Sequence, residues 1–255
     1  MEQISPRIGL FVTCLVDLMR PSVGFAALRL LERAGAEVVV PPEQTCCGQP
    51  AYNSGDVEDA RAIAKTVIEA FEGFDVVVAP SGSCTGMIVE HYAKLFENDP
   101  TWKARADNLS GRTQELTQFL AQHLDLNEIS AQFDGSVTYH DSCAGLRELG
   151  IKDQPRKLLA TVDGLVLKEM DDIESCCGFG GLFSIKYPDV SGAIVDKKAS
   201  NVEAAETDLL SGGDLGCLMN VAGKLKRRGS NVRVYHIAEI LAGMTDVPAL
   251  GEDEA

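Results

Sequence analysis

Cys-Cys-Gly occurs twice in this chain, at Cys46-Cys47-Gly48 and at Cys176-Cys177-Gly178. Each pair has one cysteine well upstream, Cys14 or Cys143, and one well downstream, Cys84 or Cys217. These positions account for all 8 cysteines among the 255 residues. Corresponding cysteines are offset by 129 (14 to 143), 130 (46 to 176) and 133 (84 to 217) residues. Offsets this similar, in the same order, mean a tandem duplication of one unit. Any fold assigned to the first half must therefore serve the second.

The apolar pattern supplies that fold. Residues 8–13, 37–40 and 75–79 are short apolar runs of strand length, each followed by a helical segment. Pro21 opens a helix with Phe25, Leu28 and Leu31 on one face. Asp56 caps a second helix with Val57, Ala60, Ile63, Ala64, Val67 and Phe71 on its inner face. Met87, Ile88, His91, Tyr92 and Leu95 give a helix behind Cys84. Residues 101–124 read as mostly helical, with Leu116, Phe119, Leu120 and His123 as the apolar face.

The second half repeats the scheme. Strands are expected at 137–140, 165–169 and 208–210, and helices at 156–161, 191–206 and 218–225. A final strand follows at 232–235 and a final helix at 237–241, and the acidic tail from Thr245 is expected to fray. Residues 125–135 are the natural boundary, dividing the chain into domains 1–130 and 131–255. Strands alternating with helices define an α/β class in which each domain has a small, mostly parallel sheet flanked by helices.

The formal net charge of −15 excludes a nucleic-acid partner, since phosphate binding needs a basic surface. The basic run Lys224-Leu-Lys-Arg-Arg228 reads as the solvated end of a helix. No apolar run approaches bilayer length, and the N-terminus has no signal-peptide pattern, so a cytoplasmic location is expected. That compartment keeps thiols reduced, which turns eight cysteines from disulfides into metal or redox groups.

Each cysteine position follows an expected strand, and in open parallel sheets the carboxyl ends of strands share one crevice. The three cysteine loops of each half therefore converge, offering four thiolates. Cys84 and Cys217 open helices, where the dipole is expected to lower a thiol pKa. Iron–sulfur ligation suits four thiolates. A zinc site suits them too, although no CxxC knuckle is present. A dithiol–disulfide relay and plain buried cysteines are the remaining readings. His140 lies at a strand end near the rim, and Arg147 just beyond Cys143 offers a bidentate partner for a carboxylate; both are candidate catalytic residues. Lys186 and Lys197 are weaker versions of that idea, and His91 and His123 read as packing residues. No Gly-x-Gly-x-x-Gly, phosphate loop or Ser/His/Asp elbow is present, which argues against nicotinamide, nucleotide and serine-hydrolase chemistry.

Longer motifs surround these cysteines: Tyr139-His-Asp-Ser-Cys143 with Leu146-Arg-Glu-Leu149, Cys176-Cys-Gly-Phe-Gly-Gly-Leu-Phe183, Tyr187-Pro188, Asp214-Leu-Gly-Cys217-Leu-Met-Asn220, and Pro80-Ser-Gly-Ser-Cys84. Over residues 8–241 the chain resembles the CCG cysteine-rich domain proteins, and most nearly the lactate-utilisation protein A family. The resemblance implies two Rossmann-like CCG domains and cysteine-ligated iron–sulfur clusters. It further implies a soluble subunit that works with two other lactate-utilisation subunits, one of them ferredoxin-like, in oxidising L-lactate to pyruvate. On that basis Cys14, Cys46, Cys47 and Cys84 would serve one cluster, and Cys143, Cys176, Cys177 and Cys217 the other.

The resemblance also keeps other readings open: a heterodisulfide-reductase-like subunit, a glycolate or glycerol-3-phosphate dehydrogenase-type redox subunit, or a zinc- or cluster-stabilised interaction protein. Two departures from the pattern matter. A closing CxxC, which relatives use for fused clusters, is replaced here by Ser81-Gly-Ser-Cys84 and Asp214-Leu-Gly-Cys217. Four thiolates per half then fit one [4Fe–4S]-type cluster each, with Asp214 a possible oxygen ligand. Ala144 also stands where relatives carry a histidine.

Overall fold

The computed structural model describes residues 6–124 and 129–252. The chain separates into two compact units, Met1–Leu124 and Asp125–Ala255. Residues 125–128, part of the expected boundary, lie outside the described residues.

In the first unit β1 (Arg7–Leu10) leads through α1 (Cys14–Met19) and α2 (Pro21–Arg33) to β2 (Glu37–Val39). Then come α3 (Gln49–Ser54), α4 (Val57–Phe71) and β3 (Val76–Ala79). The unit ends with α5 (Gly82–Gly86), a π turn (Met87–His91), α6 (Tyr92–Leu95), α7 (Pro100–Ser110), β4 (Thr113–Glu115) and α8 (Leu116–His123). The sheet is entirely parallel in the order β2-β1-β3-β4. Ile8, Leu10, Val77, Val78 and Ala79 are all buried. The central strands β1 and β3 are therefore covered on both faces, and so read as continuous apolar runs instead of alternating ones.

The second unit repeats this topology. β5 (Gln132–His140), α9 (Cys143–Arg147), α10 (Asp153–Leu159) and β6 (Asp163–Leu167) precede α11 (Phe183–Lys186) and α12 (Pro188–Ala204). β7 (Leu209–Gly212), α13 (Leu215–Arg228), β8 (Arg233–His236) and α14 (Ile237–Leu241) complete it. The order is β6-β5-β7-β8, again all parallel. The duplication extends into side-chain register. The buried positions of α4 are Ala60, Ala64, Val67, Ile68 and Phe71, and those of α12 are Ser191, Val195, Lys198, Ala199 and Val202, every one 131 residues later.

Several expectations need correcting. Residues 101–124 are not one helical stretch, because β4 interrupts them. Its sequence, Thr113-Gln-Glu115, carries no apolar residue and sits at the sheet edge, so it leaves no strand pattern. On α2 the inner face is Val23, Ala27, Leu30 and Leu31, whereas Phe25 is 65% exposed. Val57, expected on the inner face of α4, is exposed in its first turn. The helix behind Cys84 contains the π turn. The tail does not fray at Thr245: the Tyr235 hydroxyl donates to the carbonyls of Thr245 and Val247, and Leu250 N–H bonds to Val234 O at 2.9 Å. The basic run is not free either. Lys224 pairs with Asp196 at 2.7 Å and Arg228 with Glu203 at 2.8 Å, tying α13 to α12.

Phe71 anchors the first core. It is fully buried, meets Phe11 edge-on with ring centroids 5.5 Å apart, and fills the space a side chain on Gly9 would need. Phe71→Ala is expected to cost about 3–5 kcal/mol of stability. Denaturant titration of the variant will show a lower midpoint, and an unchanged midpoint would contradict this account of the core.

Candidate metal centres

The cysteines enter the sites on backbone that follows strands. Cys14 and Cys143 are the first residues of α1 and α9, after β1 and β5. Cys84 and Cys217 are the third residues of α5 and α13, after β3 and β7. The Cys-Cys-Gly segments lie in the loops that follow β2 and β6. Because each sheet is parallel, these connections leave from its carboxyl edge and meet there.

In both halves the sulfurs touch in the same sequence. Cys14 contacts Cys46, Cys46 contacts Cys47, and Cys47 contacts Cys84. Likewise Cys143 contacts Cys176, Cys176 contacts Cys177, and the Cys177 thiol donates to Cys217 Sγ at 2.8 Å. No disulfide links them. Four soft donors joined in a chain of contacts at one sheet edge suit an iron–sulfur cluster or a thiolate-bound metal ion, whose ligands are several neighbouring sulfurs.

The glycine of each Cys-Cys-Gly is set by this geometry. Gly48 and Gly178 have φ of +83° and +81°, a region costly for residues with a Cβ. That turn directs the Gly48 N–H to Cys46 Sγ at 3.4 Å and the Gly178 N–H to Cys176 Sγ at 3.3 Å. A Cβ on Gly178 would also lie 2.8 Å from the Ser191 carbonyl. Phe179 N–H adds a contact to Cys177 Sγ at 3.5 Å. Neighbouring S–H groups and these amides together hold the Cys46 and Cys176 thiols far below their ordinary pKa. Cys14, Cys47, Cys143 and Cys177 are pushed up, first by sharing a proton with the adjacent sulfur and then by burial. The expectation that a helix start lowers Cys217 is overturned. The hydrogen bond from Cys177 does lower it, but burial and the negative charges of Asp214 and Cys176 prevail and raise it.

Each Cys-Cys-Gly loop is tied to its unit by a different residue in the two halves. The Tyr92 hydroxyl, presented after the π turn, donates to Cys47 O at 2.8 Å, and Asn220 Nδ2 donates to Cys177 O at 2.9 Å. Gln44 links the first loop to β1, accepting from Val12 N–H at 2.8 Å and donating to Leu10 O at 3.3 Å. Ser81 caps α5 by accepting from Cys84 N–H at 3.3 Å, so the position that departs from CxxC has become a helix cap. Asp214 stands at the equivalent place before Cys217, 5% exposed. An open cleft of about 290 Å³ lies beside Cys14 and Cys46, bordered by Asp17, Leu18, Pro41 and Gln44.

The second half is the more polar. His140, at the end of β5, is 1% exposed, and one of its ring nitrogens lies with the sulfurs of Cys177 and Cys217 within 4.8 Å of one another. Burial, and then the Lys198 ammonium, push its pKa down to about 3, against a small upward pull from Cys176, so the ring is neutral. Lys198 is fully buried, with its Nζ donating to the carbonyls of Ile173 at 3.1 Å and Asp172 at 3.3 Å. Arg147 is exposed and reaches the Glu174 carbonyl at 3.5 Å. Arg156 is a carboxylate clamp within the fold, gripping buried Asp141 through two hydrogen bonds of 3.0 and 2.8 Å and Glu169 through another of 2.6 Å. Lys197 pairs with Asp172 at 2.5 Å on the surface. His91 and His123 stack on Tyr52 and Phe119.

Sequence reasoning missed Gln44, Arg156 and the burial of Lys198. Only Lys198 left a signal, a charged residue at an otherwise apolar register position that its duplicate fills with Val67.

Known proteins agree with this architecture. The cysteine-rich domain family known as CCG matches residues 8–89 and again 137–222. A crystal structure of a hypothetical protein from Helicobacter pylori shares the fold at a TM-score of 0.58 and 14% identity, and its match covers 98% of this chain and 50% of that one. The chain is thus a tandem CCG cysteine-rich domain protein. It is 48% identical to lactate utilization protein A of Exiguobacterium sp. across 92% of this chain and 97% of that protein. The same protein of Geobacillus kaustophilus is also 48% identical, over 92% and 98%, and lactate utilization protein A 2 of Bacillus cereus is 45% identical over 92% and 98%. The chain belongs to the lactate utilization protein A family.

The Asp141 clamp sits two residues before Cys143 and fixes the loop that carries it. Arg156→Leu leaves a buried carboxylate without its partner and is expected to cost about 3–5 kcal/mol, with Arg156→Lys losing less. Chemical denaturation of both variants measures this, and equal stability of Arg156→Leu and wild type would refute the clamp.

Proposed function

We propose that this protein is an iron–sulfur subunit of a multiprotein system that oxidises L-lactate to pyruvate in the cytoplasm. The observation that carries the reading is the convergence of four thiols at the carboxyl edge of each sheet, repeated in the same order of contacts. In this reading Cys14, Cys46, Cys47 and Cys84 hold one [4Fe–4S]-type cluster and Cys143, Cys176, Cys177 and Cys217 the other. Bound clusters supply one-electron transfer. The residues of the chain do the rest: amides of Gly48, Gly178 and Phe179 point at sulfur, and hydrogen bonds to cluster sulfurs adjust potential.

Membership of the lactate utilization protein A family supports lactate as the electron source. Among the described residues no helix is long and apolar enough to cross a membrane, in keeping with a cytoplasmic role. Exposed apolar side chains follow the cysteines in each half: Leu18 and Met19 after Cys14, and Ile185, Tyr187 and Val190 after Cys177. Apolar surface beside a redox centre is suited to docking partner proteins. Two other lactate-utilisation subunits, one ferredoxin-like, are the partners this reading assigns.

The test is purification without oxygen of the protein together with its neighbouring gene products, followed by addition of L-lactate. Lactate is expected to bleach the visible absorption of the complex, and Cys177→Ser is expected to lower that response by at least tenfold. A complex that stays oxidised under lactate would refute the proposal.

A further inference from the structure

Among the aligned buried positions at which the two halves differ are three that gain an ionisable residue in the second half. Phe11 in the first half corresponds to His140 in the second, each three residues before the first cysteine. Val67 corresponds to Lys198, and Ser81 to Asp214. Duplication would have preserved an apolar residue at the strand end had packing been its only use. A ring of similar size with two polar atoms stands there instead.

His140 is fully enclosed, and neither Nδ1 nor Nε2 has a hydrogen-bond partner among the described residues. Burying such groups unpaired is costly. The ring does have neighbours able to resolve that cost. A ring nitrogen and the sulfurs of Cys177 and Cys217, the two buried thiols of this half, lie within 4.8 Å of one another. Imidazole nitrogen is a common metal donor. Lys198, the other nitrogen donor at these positions, has its Nζ turned to the carbonyls of Asp172 and Ile173.

We infer that His140 is a nitrogen ligand of the second centre, which makes that centre a mixed imidazole–thiolate site while the first is thiolate only. The inference rests on the cluster reading above and revises it at one point: a four-iron cluster offers four terminal positions, so His140 takes the place of one of the four thiolates of this half. Replacement of thiolate by imidazole raises the potential of an iron–sulfur centre. The second centre is therefore the more oxidising of the two, and electrons entering the protein come to rest there.

The test uses the full chain purified without oxygen, with its histidines labelled with nitrogen-15, then reduced and measured by pulsed electron paramagnetic resonance. One of the two signals is expected to carry the strong coupling of a directly bound imidazole nitrogen, shifted by the label. His140→Phe, which installs the residue of the first half, is expected to abolish that coupling and to lower one of two midpoint potentials while leaving the other. The wild-type spectrum decides the question even if the variant folds poorly. A loaded protein with no histidine coupling, or with only the weak coupling of a hydrogen-bonded nitrogen, overturns this inference alone. A chain that takes up no iron overturns the cluster reading and this inference with it.

Discussion

Parallel pairing of the first and third strands in each unit is the constraint on which the rest depends. β1 pairs with β3 and β5 with β7 in parallel register, so the connections leaving them emerge on the same edge. Cysteines more than thirty residues apart in sequence then need no further device to meet. Helices on both faces keep the central strands dry, and the apolar runs that specify them follow from that burial. The site is a consequence of the sheet, and the sheet is repeated.

At that edge the local chemistry is set by backbone as much as by sulfur. Left-handed glycines direct amides at the Cys46 and Cys176 sulfurs, where they offset negative charge. Thr13, just before Cys14, is a non-glycine residue at φ +76°, a conformation that costs on the order of 1–3 kcal/mol. Its counterpart Ser142 is relaxed and caps α9 by accepting from Gly145 N–H. Asp141 beside it is held by Arg156. The two halves thus reach one cysteine geometry by different means, local strain in the first and a buried ion pair in the second.

Much of this was legible in the sequence. The duplicated cysteine offsets point to the tandem architecture, and apolar runs each followed by a cysteine loop point to the strand-edge placement of all eight. Side-chain partnerships between distant segments were not legible. Gln44 and Arg156 are ordinary polar residues until folding brings them to Leu10 and Asp141. β4 is too short and polar to show a pattern, although the extra strand expected at 232–235 in the second half implied a counterpart in the first. Phe25 was misplaced because three-residue spacing alone does not say which face of a helix turns inward. Burial of Lys198 became readable only when α12 was aligned to α4, where Val67 holds the same position.

The central claim is that each half assembles its four thiolates around an iron–sulfur cluster. Iron, zinc and acid-labile sulfide measured per chain, on protein purified without oxygen, test it most directly. The account predicts iron and sulfide in equal amounts, both falling to half the wild-type content in Cys46→Ser/Cys47→Ser and, separately, to half in Cys176→Ser/Cys177→Ser. Zinc in place of iron, with no sulfide, would contradict it.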